Sequence, residues 1–204
     1  MKRYILAITG ATGPVMGLRI LERLVEDSEV HLILSEPAIS IIKEEVCVDL
    51  SEKPEERLKA WLNEKRSAGN ALSSFDGLFV HNGNNLWAPV SSGSFQIDAM
   101  FIVPCTMKTL SAIATGYAGS LIERAADVAI KEGRPLILSP RETPLSAIHL
   151  ENMLKLARLG VRIVPPVAGF YSKPESIDDM IDFMAGKVLD QMRIDHDLYK
   201  RWQQ

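Results

Sequence analysis

The sequence predicts an α/β protein built on an open, mostly parallel β-sheet with helices on both faces. Three observations lead there. Short apolar runs alternate with stretches of helical periodicity, the order that βαβ units impose. The first run, Tyr4 to Ile8, is nearly unbroken by polar residues, as a strand buried on both faces requires. It leads straight into a glycine-rich turn, Gly10-Ala11-Thr12-Gly13-Pro14, after which helical spacing begins. At 204 residues, one domain over 1–204 is expected.

The remaining elements follow in order. Leu18, Leu21, Leu24 and Val25 form one helical stripe after the turn. Glu29 to Leu34 reads as a second strand, and Pro37 opens a helix that runs toward Glu45. Lys53 to Arg66 is charged and reads as a solvated helix, with a short strand at Leu78 to His81. Asn82 to Ser94 is loop by composition, yet it carries Trp87, a residue suited either to wall a site or to anchor the loop on the core. Ala99 to Val103 is a buried strand that Pro104-Cys105-Thr106 should end. Two helical stretches follow, the second from Ser120 to Glu132. Then come a strand at Leu136 to Leu138, a helix over Ser146 to Leu159, a strand at Val161 to Val164 and a last helix from about Ser176 to Met192.

Composition narrows the function. Hydrophobic residues make up 47% of the chain, ample for a packed core. The net charge of −3 lacks the basic surplus of a protein that neutralises nucleic-acid phosphates. Two cysteines make no disulfide scaffold and suit a reducing compartment, so a cytoplasmic location is expected. No apolar run approaches the roughly 18 residues of a membrane span. The basic start, Lys2-Arg3, precedes too short an apolar stretch for a signal peptide. His31, His81, His149 and His196 lack metal-ligand spacing, so no metal is expected.

In parallel sheets of this kind ligands bind beyond the carboxyl ends of the strands. Gly10 to Gly13 lies there and suits either a phosphate-approaching loop or an ordinary tight turn; it is neither a G-x-G-x-x-G fingerprint nor a P-loop. Ser35 follows the second strand and reads as a helix cap. Thr106, Met107, Lys108 and Thr109 suit an anionic or flavin-like ligand, and equally a capped helix. Arg141-Glu142 follows another strand, where an exposed ion pair would add little stability, so its placement points to function. Arg124, Asp127 and Lys131 share one helix face, with an Asp127–Lys131 surface pair as the plain alternative. Cys105 reads as a nucleophile or, with no histidine near it in sequence, a buried structural thiol.

Long motifs in a fixed order now carry a resemblance over nearly the whole chain. They are T-G-A-T-G at 9–13, S-S-G-S at 91–94, P-C-T-M-K-T-L-S at 104–111 and I-E-R-A-A-D-V-A-I-K-E at 122–132. P-L-I-L-S-P-R-E-T-P at 135–144, H-L-E-N-M-L-K-L at 149–156 and G-F-Y at 169–171 continue the series. The chain resembles the UbiX-type flavin prenyltransferases, within the homo-oligomeric flavin-containing Cys decarboxylase-like superfamily. The resemblance implies a Rossmann-like fold and transfer of a dimethylallyl group from dimethylallyl monophosphate to N5 and C6 of reduced FMN. The product would serve a UbiD-type decarboxylase. Related proteins of the same fold are FMN-dependent decarboxylases, and a non-catalytic flavin carrier is the third reading.

The resemblance also implies roles for particular residues. Gly10, Ala11, Thr12, Ser35, Thr106 to Thr109 and Arg141 would hold FMN, with Ser92 and Ser94 lining the flavin and phosphate region. Tyr171 and Lys187 would hold the donor phosphate, with Arg124 and Lys131 adding positive charge. Glu45 and Glu142 would be the functional carboxylates, Glu142 as base with the Thr12 hydroxyl as relay. Trp87 and Trp202 would lie near the prenyl group. A homo-oligomer, commonly a dodecamer, is implied, with sites between subunits. Two departures stand out: the family usually has Ser at Thr12 and often Arg at Lys187, where Lys keeps the charge and loses the bidentate fork on phosphate.

Overall fold

The computed structural model describes residues 1–65 and 75–202. Its strands are β1 (Lys2–Ile8), β2 (Ser28–Leu34), β3 (Leu78–Asn82), β4 (Ala99–Cys105), β5 (Leu136–Pro140) and β6 (Arg162–Ile163). Its α-helices are α1 (Pro14–Leu24), α2 (Glu36–Val46), α3 (Pro54–Lys65), α4 (Met107–Thr115), α5 (Leu121–Lys131), α6 (Ala147–Arg158) and α7 (Ile177–Leu189). Every expected element is present within a few residues. The helix expected over Lys53 to Arg66 is α3, and Arg66 lies outside the described residues.

One six-stranded sheet runs in the order β3-β2-β1-β4-β5-β6, and every neighbouring pair is parallel. From β1 the chain winds outward to β3, then crosses back to β4 on the other side of β1. The direction of winding therefore reverses between β1 and β4, which opens a crevice at their carboxyl ends. The pleat divides the core into two layers. Tyr4, Leu6 and Ile8 point to a layer that includes α1, α2, α3 and α7, whereas Ile5 and Ala7 point to one that includes α4, α5 and α6.

Caps explain where the helices start. Ser120, Ser146 and Ser176 each accept a hydrogen bond from the backbone N–H three residues on, and the side chain of that residue accepts one from the cap's own N–H. Several boundaries differ from expectation by a few residues. β4 continues through Pro104 to Cys105, because the missing proline N–H only interrupts the ladder, which shifts register after Ile102 and resumes at Cys105 opposite Pro140. β6 is two residues long, and α7 ends at Leu189 in a tight 3-10 turn over Asp190–Met192.

Glycine sets the spacing at the crevice. A Cβ on Gly17 would lie 2.3 Å from the Val103 carbonyl oxygen and 3.0 Å from Ile8 Cδ1, so only glycine lets α1 seat this close to the sheet. Among the described residues no helix is long and apolar enough to cross a membrane.

Candidate active site

The turn after β1 is tied to the turn after β4 by one buried hydroxyl. Thr9 Oγ1 donates to the Pro104 carbonyl (2.7 Å) and accepts from the Thr106 backbone N–H (2.9 Å). Thr106 Oγ1 then caps α4, accepting from the Thr109 N–H (3.2 Å) and donating to Thr109 Oγ1 (3.0 Å). In sequence Thr9 has no role beyond its place in the T-G-A-T-G turn; a hydroxyl at the carboxyl end of a central strand is the signal for one.

Gly13 adopts a left-handed φ of 85° at the start of α1, and its N–H donates to Glu45 Oε2 at 2.8 Å. Glu45, from the end of α2, thereby braces the turn. The space where a Gly13 Cβ would stand is open. Ser35 Oγ accepts from the Ala38 N–H (3.2 Å), so Ser35 is the helix cap that its position suggested. Ala11 is buried and Thr12 exposed.

At the end of β5 the Arg141 backbone N–H donates to the Cys105 carbonyl (3.1 Å), which joins this loop to the β4 turn. The Arg141 Nε is buried without a hydrogen-bond partner, and Ser139 Oγ is in the same state. A buried guanidinium nitrogen left unpaired is costly unless a ligand completes it. With the open cradle at Gly13, the Thr106–Thr109 hydroxyls and the α1 N-terminus, this donor set fits the phosphate and polar ring edge of a flavin nucleotide. Met107 is half-buried and Lys108 exposed at the same turn. Glu142 is exposed and its Oε1 accepts from the Thr143 N–H (3.0 Å). Cys105 is buried, and burial pushes its thiol up to about 12, which suits a structural thiol and not a nucleophile.

A second group lies on the α5 side. Arg124 Nε donates to the Ser91 carbonyl (3.1 Å), and its NH1 pairs with Asp127 (3.1 Å). Lys131 pairs with Glu132 (2.6 Å), so the Asp127–Lys131 pair considered from sequence is replaced by these two. A Cβ on Gly93 would lie 3.0 Å from Lys131 Nζ, which places the serine loop directly against this helix. In that loop Ser92 Oγ and Ser94 Oγ are 2.8 Å apart.

A third group lies against α7. The Tyr171 ring meets Trp202 edge-on at 5.3 Å, and Lys187 Nζ is 3.7 Å from Asp190. Trp202 therefore has a partner within its own chain. Trp87 does not anchor its loop on the core: it is 95% exposed. The α5 and α7 groups belong to opposite layers of the sheet. Within one chain the structure does not bring Arg124 and Lys131 together with Tyr171 and Lys187.

Comparison with known proteins agrees with this geometry. The sequence model of the Flavoprotein family matches residues 1–189. The flavin prenyltransferase UbiX of Halalkalibacterium halodurans is 44% identical over 200 residues, covering 98% of this chain and 92% of that one. The dodecameric FMN-dependent UbiX-like decarboxylase from Escherichia coli O157:H7 superposes with a TM-score of 0.83 at 42% identity, over 99% of this chain and 100% of that one. AnUbiX (PadA1), solved with FMN and dimethylallyl pyrophosphate, superposes with a TM-score of 0.84 at 43% identity, over 100% of this chain and 98% of that one. With that identity along the full length, and a donor set at the sheet's switch point that fits a flavin, the chain belongs to the UbiX-type flavin prenyltransferase family of flavoproteins.

Proposed function

We propose that the protein is a flavin prenyltransferase: it transfers a dimethylallyl group from dimethylallyl monophosphate to N5 and C6 of reduced FMN, working as one flavoprotein domain over residues 1–204. The observation that carries the reading is the buried, unpartnered Arg141 Nε, set beside the Thr106 turn in a chain 44% identical to a flavin prenyltransferase. Reduced flavin supplies the nucleophilic atoms. The chain's own residues bind, orient and move protons. Gly10 to Thr12, Ser35, Thr106 to Thr109 and Arg141 hold the flavin, with Ser92 and Ser94 at its phosphate side.

Breaking the allylic C–O bond builds negative charge on the departing phosphate. Lys187 and Tyr171 meet it from one side, with Arg124 and Lys131 from the other, and cations placed there stabilise that charge as it develops. Trp87 and Trp202 offer aromatic faces to the allyl cation, worth about 0.5–2 kcal/mol for each good contact. Glu142 takes the proton released when the second bond closes, with Thr12 as relay, and Glu45 holds the turn that carries Thr12. Since the two cationic groups lie on opposite sheet faces of one chain, a complete site needs a second copy. The dodecameric relative supports such a homo-oligomer. The product goes to a UbiD-type decarboxylase in the cytoplasm, a location that two free cysteines suit.

The test is anaerobic. The purified protein is mixed with FMN, dithionite and dimethylallyl monophosphate or diphosphate, and the released flavin is weighed by mass spectrometry. A gain of C5H8 is expected with the monophosphate. Bound flavin of unchanged mass with both donors would overturn the assignment in favour of a carrier or a decarboxylase.

A further inference from the structure

The chain beyond α7 folds back on that helix through a single carboxylate. Asp190 Oδ1 accepts from His196 Nε2 (3.1 Å) and from Arg201 NH2 (2.9 Å), while Oδ2 accepts from the Tyr199 hydroxyl. His196 Nδ1 accepts the Leu198 N–H (3.3 Å), which leaves the imidazole proton on Nε2, directed at Asp190. Burial works against the Asp190 charge, yet these three donors outweigh it and hold the carboxyl below its usual range.

The packing around this carboxylate is close. A Cβ on Gly186 would lie 2.6 Å from the Tyr199 ring and 2.7 Å from His196, so glycine there lets the tail lie flat on α7. An unbroken set of ring contacts leads from Tyr199 to the donor side: Tyr199 to Phe183 at 4.9 Å, Phe183 to Tyr171 at 5.5 Å and Tyr171 to Trp202 at 5.3 Å. From Arg193 to Trp202, Ile194 is the one buried hydrophobic residue, so apolar burial by itself holds the tail weakly.

We propose that Asp190 is a positioning residue of the prenyl-donor site: it latches the tail onto α7, sets Trp202 against Tyr171, and keeps the Lys187 ammonium close but free to turn to a phosphate. The Lys187 to Asp190 separation of 3.7 Å exceeds hydrogen-bond length and Lys187 is 45% exposed, so this pair yields readily to a stronger anion. The inference rests on the donor site assigned above, while the latch itself is measurable without turnover.

The test uses the full chain. In a Trp61→Phe/Trp87→Phe background Trp202 is the sole tryptophan, and acrylamide quenching reports its exposure. Asp190→Asn is expected to raise that quenching and to speed tryptic cleavage after Arg193. In the otherwise natural chain the same substitution should raise KM for dimethylallyl monophosphate about tenfold, the equivalent of one lost charge-assisted hydrogen bond. Affinity for FMN should hold, while kcat should fall severalfold, because a displaced Trp202 no longer faces the allyl cation as it forms. Trp202→Ala should give a similar rise, and the double variant should be no worse than either single one, because both remove the same wall. Unchanged quenching, cleavage and KM in Asp190→Asn would overturn the proposal. If that variant does not fold, Tyr199→Phe and Arg201→Ala each remove one donor; natural quenching in both would equally overturn it. If the natural protein adds no C5H8 to flavin, the prenyltransferase assignment fails, and quenching and cleavage still decide the latch.

Discussion

Gly17→Ala sets two effects of opposite sign against each other. In an exposed helix the change would stabilise by about 0.8–1.0 kcal/mol, since alanine surrenders less backbone entropy. Here the added Cβ would sit 2.3 Å from the Val103 carbonyl oxygen, where a carbon–oxygen contact needs about 3.3 Å. The oxygen belongs to the backbone of a central, wholly buried strand and has no rotamer through which to move away. Helix α1 must instead retreat by about 1 Å. Overpacking of this kind costs about 1–3 kcal/mol, and a backbone partner places it at the upper end. The net is about 2 kcal/mol of lost stability, or a fall in Tm of about 4–8 °C for a chain of this size. The turn at Gly10 to Gly13 opens onto the N-terminus of α1, so the retreat also carries its amides away from a bound phosphate. Affinity for FMN should drop about tenfold, the worth of one anion contact. Thermal unfolding by circular dichroism and an FMN titration read the two consequences. A variant that melts at or above the natural temperature and binds FMN as before would show that helix propensity wins, and that close approach of α1 to β4 does not position the turn.

Further outcomes are expected. Lys187→Arg restores a bidentate fork and should lower KM for the monophosphate about threefold to tenfold; an unchanged KM would place the phosphate elsewhere. Burial, with the neighbouring His31, lowers His81 to about 4, and burial lowers His31 despite its contact with Glu29. The unfolded chain therefore takes up these protons first, near pH 6.5. Stability from the pair is full above that pH and is lost as pH falls toward 4. Urea unfolding from pH 7.5 to 4.5 should show this loss, and His81→Phe should flatten it. Cys47 is exposed and Cys105 buried with a raised pKa, so a thiol reagent should titrate one thiol quickly in the native protein and two after unfolding; two fast thiols would contradict the packing of β4.

The elements were legible because each depends on local order. Tyr4 to Ile8 had to be a buried strand, since nothing in it could face water. Ser120, Ser146 and Ser176 mark helix starts by hydrogen bonds that span three residues. Pro104 misleads in sequence alone, because its missing N–H looks like a strand end until the neighbouring β5 takes up the ladder again at Pro140. The Asp127–Lys131 pairing misled for a similar reason: helical spacing permits it, but each charge found a different acidic or basic neighbour at shorter range.

By itself the sequence determined the alternation of strands and helices, the glycine turn after β1, and motifs specific enough to indicate the family. Those are properties of contiguous residues, and the chain cannot hide them. Only the tertiary structure decided which strands flank the crevice, since strand order depends on the path of connections across the sheet and not on any one segment. It alone tied Thr9 to the Thr106 turn across 97 positions of sequence. It also separated the cations of α5 from Lys187 of α7: the side of the sheet on which a helix packs is set by connection handedness and by which face of the pleat it covers, and both are settled only when the whole sheet forms.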